Sequence, residues 1–228
     1  MTMRRWLFSF VLLAVAAPAA PASAQFSGDL AFTPDACKAK RSCILRNELT
    51  FVDPAKRIWR AAAGDVTDGA SIPDWAQGVI GDRWDDSYIK AAVLHDHYCG
   101  TMRHSWKETH RMFYEALVAL GVGELKAKLM YYAVYLAGPK WELAATPPAC
   151  DPASGDTCLM EARPDGPAMV VRPDRYREMD MGHEIGAARD YMARNPGASL
   201  EQLEALAGRA RPDDRILNRD TAGERPSQ

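Results

Sequence analysis

The sequence predicts an α+β fold that is mostly α-helical: a small β-hairpin, then a short helix and three antiparallel helices, with a partly disordered C-terminal tail. Three observations predict it. Residues 48–60 alternate apolar and polar side chains around an Asp-Pro turn, which indicates a hairpin. Residues 85–139 hold three segments of helical periodicity separated by glycine-containing breaks. From residue 145 the composition shifts: Pro, Gly and Arg become frequent and Lys is absent, which indicates a separate extension whose end is disordered.

The N-terminus has the pattern of an export signal, assigned to residues 1–24. Arg4 and Arg5 precede the apolar run Trp6–Ala17, and Ala22-Ser23-Ala24 forms a small-x-small cleavage site. The apolar run is short for a spanning helix, and no second candidate follows. We therefore expect an exported chain, periplasmic or secreted, without a transmembrane segment after cleavage; an uncleaved N-terminal anchor is the alternative.

Export changes the interpretation of the five cysteines. In an oxidising compartment, closely spaced cysteines are disulfide candidates, which predicts Cys37–Cys43 and Cys150–Cys158. Cys99 is then free and buried in a helix pair. A link between the two cysteine pairs is the alternative. Because no CxxC pair occurs, a zinc cluster built from thiolates is not expected.

The chain divides into a compact domain at residues 25–144 and an extension at residues 145–228. Residues 25–47 are expected to be irregular, and the hairpin comprises Glu48–Val52 and Arg57–Arg60. In the extension, helices are expected near Gly182–Arg194 and Ser199–Arg209, with disorder from Arg211. The net charge of −2 and the absence of a basic patch exclude nucleic acid as an expected partner.

A tight turn follows the hairpin at residues 65–73. Asp68-Gly69 supplies the positive-φ position, and Ser71 can cap a short helix that begins near Pro73. Asp68 then has two interpretations. It is either a hydrogen-bonding turn residue, the more common case, or a carboxylate presented to a cation.

The three helices have recognisable boundaries. Asp85-Asp86-Ser87 opens the first, which is expected to run to about Tyr98 and stop at Gly100. Ser105-Trp-Lys-Glu is a capping box for a helix from Trp106 to about Leu120. The third spans Glu124–Ala137, with Tyr131, Tyr132 and Tyr135 packing and their hydroxyls directed toward water. Short connections make the helices antiparallel neighbours.

The candidate site is the His95-Asp96-His97-Tyr98-Cys99 segment, which ends the apolar run of the first helix. Ionisable groups at the end of a buried helix are partly desolvated, and chemistry is commonly done there. His95 is chosen as the inward-facing group, with Asp96 beside it and Cys99 one turn away on the same face. His110, on the apolar face of the second helix, is expected to meet His95.

The motifs TDGASIP at residues 67–73, AAVLHDHY at 91–98, RMFYEAL at 111–117 and MYYAV at 130–134 resemble the bacterial and phage family named domain of unknown function 1353. The resemblance covers about residues 45–141. It implies a fold and not a reaction. The family usually has Asp where this chain has His110, and the N-terminal cysteines and the tail lie outside the resemblance.

A weaker, local resemblance is to secreted bacterial phospholipases A2, which carry a His-Asp pair on one helix and an acid on the next. That resemblance implies His95 as the general base, Asp96 as a calcium ligand and the Asp68-Gly69 turn as the calcium loop. His110 takes the place of the orienting acid, and a neutral His stabilises an imidazolium less than a carboxylate does.

Three hypotheses follow. One is a hydrolase of esters or amides, on a lipid or cell-envelope substrate, in which His95 activates water beside a cation on Asp96. Another is a transition-metal site, zinc or similar, made by His95, His110 and a carboxylate from Asp96 or Asp68. The third is a non-enzymatic envelope or phage-related interaction protein with a buried polar network. A Ser-His-Asp triad and a Cys99–His95 dyad are less favoured.

Overall fold

A computed structural model describes residues 24–70, 72, 77, 80–143, 159–161, 169–172 and 178–219. It confirms an α+β, mostly helical chain with a small antiparallel hairpin ahead of three helices. The export signal, Ser71, Pro73 and the Cys150–Cys158 pair lie outside the described residues. No helix within the described ranges has both the length and the hydropathy needed to cross a bilayer.

The predicted hairpin is present as β4 (Leu49–Val52) and β5 (Ile58–Ala61), with Phe51 opposite Trp59. One face is apolar and buried, because Leu49, Phe51, Trp59 and Ala61 alternate with exposed positions. A further strand, β1 (Gln25–Ser27), pairs with the open edge of β4.

The expectation that residues 25–47 are irregular is wrong. Besides β1 they form β2 (Phe32–Thr33), a 3₁₀ turn (Cys37–Lys40) and β3 (Cys43–Leu45). With β6 (Val66–Thr67) these make a second antiparallel sheet of order β2-β3-β6. Strands of two or three residues are too short to show alternation, so pairing with distant segments defines them. The predicted Cys37–Cys43 disulfide joins the 3₁₀ turn to β3.

Helix α1 (Ile89–Thr101) is the central element. It differs from expectation at both ends: Asp85–Ser87 form the preceding turn, and Gly100 lies inside the helix. The helix instead ends at Thr101 and is capped by Met102, which has a positive φ of 51°. Its first turns are buried on most sides. The Tyr98 hydroxyl accepts a 2.9 Å hydrogen bond from the backbone N–H of Arg60, which fixes α1 against the hairpin.

Helices α2 (Trp106–Ala119) and α3 (Glu124–Ala137) follow the prediction closely. The Ser105–Glu108 capping box is present, and Gly138 ends α3. Short loops at residues 102–105 and 120–123 place α2 against both α1 and α3. The tyrosine hydroxyls of α3 do not face water: the tyrosines at 131, 132 and 135 are buried, and Tyr131 donates to Glu204 at 2.6 Å.

The C-terminal region contributes helices α4 (Glu178–Arg194), α5 (Leu200–Ala210) and α6 (Arg215–Arg219). Both α4 and α5 pack against α3, and Leu203 and Ala207 join the main apolar core. Contrary to the expectation of disorder from Arg211, α6 buries Ile216 and Leu217 almost completely. A third sheet of order β7-β9-β8 comprises β7 (Lys140–Leu143), β8 (Leu159–Glu161) and β9 (Met169–Arg172).

Candidate metal centre

His95 and His110 meet between α1 and α2, as the sequence predicts. The Nε2 atom of His95 lies 2.8 Å from Nδ1 of His110, which is a hydrogen bond between the two rings. The side chains are 9 % and 0 % exposed, respectively. Aromatic rings surround the pair: Phe113 lies 4.8 Å from His95 and Trp106 lies 5.6 Å from His110, between ring centroids.

Cys99 lies one helical turn after His95 and contacts the same ring. Its Sγ is 3.6 Å from Nε2 and 3.9 Å from Nδ1 of His95. One ligand atom each from His95, Cys99 and His110 lies within 4.8 Å of the other two. From the sequence, Cys99 is expected to lie on the His95 face as a free, buried cysteine, without a role in a metal site. The signal for a larger role is the i, i+4 spacing of two residue types that bind metals.

The electrostatic environment keeps both rings neutral. Burial lowers the pKa of His95 to about 4. Burial, with added repulsion from His95 and Lys140, holds the pKa of His110 well below its usual range, and the Pro139 carbonyl only partly opposes this. Neutral imidazole is the form that binds metal ions, so each ring can offer a lone pair.

The outer side of the His110 ring is tightly enclosed. Its Nε2 has no partner of full hydrogen-bond geometry among the described residues, although the Pro139 carbonyl lies close enough to raise its pKa. A Cβ atom on Gly138 would lie only 3.1 Å from Cε1 of His110, and it would also collide with the Val134 carbonyl. The end of α3 therefore fixes the position of this ring.

Burial raises the pKa of the Cys99 thiol, and the nearby Asp96 charge raises it further. A thiol in this environment stays protonated, and the thiolate is the nucleophilic form. The arrangement therefore disfavours a Cys99–His95 nucleophilic dyad that acts without a metal.

Asp96 faces the β6 turn rather than the histidine pair. Its carboxylate accepts a 2.5 Å hydrogen bond from the Thr67 hydroxyl and a further one from the Asp68 backbone N–H. Burial raises the pKa of Asp96 to about 7; the Asp68 charge adds to this, and the two hydrogen bonds oppose it. Asp96 thus ties α1 to the turn after β6.

Asp68 is exposed, in a turn where Gly69 has a φ of 84°. The structure therefore separates the four predicted site residues into two groups. His95 and His110 face each other between the helices, whereas Asp96 and Asp68 meet at the turn, outside the His95–Cys99–His110 cluster.

These features define the class: a small α+β domain whose central helices enclose a buried His/Cys cluster. The chain belongs to the family described as "Protein of unknown function (DUF1353)", whose profile matches residues 43–134. The matched range contains Asp68, Asp96 and the His95–Cys99–His110 cluster, and it agrees with the resemblance stated for residues 45–141.

Two relatives come from Sinorhizobium fredii (strain NBRC 101917 / NGR234). One, "Uncharacterized protein y4iH", is 36% identical over 184 residues, which are 79% of this chain and 76% of that protein. The other, "Uncharacterized protein y4jT", is 41% identical over 99 residues, 43% of this chain and 30% of that protein. No solved structure matches the chain. The local phospholipase A2 resemblance stays a prediction.

Proposed function

We propose that this chain is an exported, metal-assisted hydrolase centred on His95, which cleaves an ester or amide bond in a lipid or cell-envelope substrate. The observation that carries the proposal is the 2.8 Å contact between His95 Nε2 and His110 Nδ1 in a buried site. Two neutral imidazoles that can each direct a lone pair at the same ion are common ligands in transition-metal sites.

The arrangement favours a transition metal over calcium. Calcium takes six to eight oxygen ligands, whereas the inward-facing groups here are nitrogen and sulfur. Asp96, the calcium ligand implied by the phospholipase resemblance, already accepts hydrogen bonds from Thr67 and Asp68. His95 and His110 are therefore the proposed ligands, while Asp96 and Asp68 hold the turn against α1.

A metal in this position would lower the pKa of bound water and polarise a carbonyl. In the overall reaction, water adds to the carbonyl carbon and the bond to the leaving oxygen or nitrogen breaks. The proton lost by the water passes to the leaving alcohol or amine. To hold such a metal, His95 and His110 would exchange their mutual hydrogen bond for lone pairs directed at the ion, and the rings of Phe113 and Trp106 pack against the pair.

The proposal of export is supported by the Cys37–Cys43 disulfide, because disulfides persist mainly in oxidising compartments. It is also supported by the signal pattern at residues 1–24.

The test is hydrolysis by the purified chain of ester and amide substrates, including phospholipid vesicles and acylated peptides, with zinc and with a chelator. We expect turnover that the chelator abolishes and that is lost in His95→Ala and His110→Ala. His183→Ala, which removes an exposed histidine, is the matched control. If the metal-loaded chain cleaves no substrate faster than His95→Ala, the hydrolase proposal is wrong.

One observation favours the non-enzymatic alternative. The imidazoles of His95 and His110 already form a hydrogen bond with each other and need no ligand between them. In that case His95→Ala and His110→Ala lower the melting temperature, and neither a metal ion nor a substrate raises it in the unmodified chain.

A further inference from the structure

We propose that Cys99 is the third ligand of this centre, so that His95, Cys99 and His110 form a zinc site of the Cys-His₂ type with one position left open. No carboxylate takes part in this ligand set. This inference rests on the proposed function, because Cys99 can be a ligand only if a metal binds at His95 and His110.

The spacing along α1 brings His95 and Cys99 to one point. Residues at i and i+4 lie above each other on the same helix face, whereas Asp96 is rotated by roughly 100°. The Cys99 Sγ accordingly lies 3.6 Å from the His95 nitrogen that also contacts His110. Two ligands from one helix and a third from its neighbour make a site that helix packing alone can hold.

Two of the three distances between ligand atoms are close to those of a tetrahedral zinc site, and the third, between Cys99 and His110, is at most 4.8 Å. Typical zinc bonds, about 2.05 Å to nitrogen and 2.3 Å to sulfur, separate a nitrogen and a sulfur ligand by about 3.6 Å and two nitrogens by about 3.3 Å. The observed 3.6 Å between His95 Nε2 and Cys99 Sγ meets this value. The 2.8 Å between the histidine nitrogens has to open by only about half an ångström, with loss of their hydrogen bond.

The nitrogen and sulfur ligand atoms determine which metal ions fit this site. Thiolate and imidazole favour zinc and similar ions, while calcium and magnesium require oxygen ligands. No fourth Asp, Glu, His or Cys joins the cluster among the described residues. Three protein ligands with an open position are the pattern of catalytic zinc, whereas structural zinc is usually held by four.

The experiment uses cobalt(II) as a spectroscopic substitute for zinc in the purified full-length chain after treatment with a chelator. We expect one cobalt per chain, with the strong visible absorption of a tetrahedral site and a near-ultraviolet band from thiolate-to-cobalt charge transfer. Cys99→Ser should abolish the near-ultraviolet band. Zinc affinity, measured by competition with a chelating dye, should fall by at least about 100-fold. Loss of a residue that only hydrogen-bonds to a ligand already lowers metal affinity by about 10–100-fold, and loss of the ligand itself should lower it more.

Matched controls come from the chain itself. The double variant Cys150→Ser with Cys158→Ser should keep the band, which shows that the sulfur is that of Cys99. His183→Ala should keep full binding, and His110→Ala should lose it. Because His110 is fully buried, each variant is first compared with the parent chain by circular dichroism. Cys99→Ser, at a partly exposed position, keeps the test valid if His110→Ala does not fold.

The outcomes separate this inference from the proposed hydrolase. Stoichiometric cobalt without a thiolate band, or a band that survives Cys99→Ser, overturns the role of Cys99 and leaves the hydrolase proposal standing. A thiolate band without hydrolysis of any substrate supports the zinc site and overturns the hydrolase. If the parent chain binds neither cobalt nor zinc, both proposals are wrong.

Discussion

The indole Nε1 of Trp59 donates a 2.9 Å hydrogen bond to the carboxylate of Asp53, which is 0 % exposed. The backbone N–H and the Nε of Arg57 donate to the same carboxylate at 2.9 Å and 2.7 Å. This turn residue therefore joins the end of β4 to the start of β5, and three N–H groups donate to its carboxylate. Removal of that charge should be costly because the buried Trp59 N–H would lose its charged acceptor and Arg57 its ion-pair partner.

We predict that Asp53→Asn destabilises the chain by about 2 kcal/mol at pH 7, since hydrogen bonds to a charged group contribute about 1.5–3 kcal/mol. Burial would raise the pKa of Asp53, but the bonds from Trp59 and Arg57 outweigh it and hold the pKa below its usual value of 3.8. The stabilisation is thus complete above about pH 4 and lost as pH falls through the folded-state pKa.

Urea unfolding at pH 7 and pH 3 measures this effect. The difference in the free energy of unfolding between the parent chain and Asp53→Asn should be smaller at pH 3. Asp86→Asn, at an exposed position, is the control; an equal gap at both pH values would contradict the charge argument.

The attachment of α5 to the helical core makes a second prediction. Glu204 accepts hydrogen bonds from the Tyr131 hydroxyl at 2.6 Å and from Arg111 at 3.1 Å. Glu204→Ala should lower the stability of the whole domain by about 1–3 kcal/mol, because a buried hydroxyl loses its acceptor. Glu201→Ala, which removes a mostly exposed partner of the same arginine, should cost less than about 1 kcal/mol. Thermal unfolding measures both, and equal effects would show that the Tyr131–Glu204 bond contributes nothing.

A third prediction concerns the contact between α1 and the turn after β6. Thr67→Val keeps the shape of the side chain but removes the donor to the buried Asp96 carboxylate. We expect a loss of about 1.5–3 kcal/mol, whereas Thr67→Ser keeps the hydroxyl and should retain most of the stability. Chemical denaturation compares the two. A serine variant as unstable as the valine variant would assign the effect to packing of the methyl group.

The N-terminal disulfide gives a fourth prediction. Closure of the short loop between Cys37 and Cys43 should stabilise the chain by about 2 kcal/mol through the lost entropy of the unfolded state. The double variant Cys37→Ala with Cys43→Ala should melt earlier than the parent chain and lose less stability than the parent when a reductant is added. A variant that loses as much stability on reduction as the parent chain would contradict the contribution of Cys37–Cys43.

Elements with a complete local signal could be predicted from the sequence. The capping box at Ser105 and the glycine at 138 mark helix ends by their own chemistry, and the alternation around Asp53 marks the hairpin. The approach of His95 to His110 followed from helical periodicity and short loops.

Features that depend on distant partners could not be predicted. Strands β2, β3 and β6 are too short for a pattern, and they exist because they pair with one another. The direction of the Asp96 side chain is set by Thr67, 29 residues earlier, and the packing of α6 is set by the core that it covers. Cys99 was placed on the correct face, but its contact with His95 depends on the rotamers that the α1–α2 interface permits.

Gly138 links the end of helix α3 to the position of the His110 ring. It ends α3, and its lack of a side chain leaves room for the His110 ring. A larger residue there would collide with the Val134 carbonyl and press on the His110 imidazole, so the end of α3 also constrains the position of the His/Cys cluster. Leu125, at the other end of α3, is exposed, so a larger side chain fits there without touching the cluster. An engineer who wishes to graft this centre onto another helical scaffold must therefore transplant the helix terminus together with the histidines.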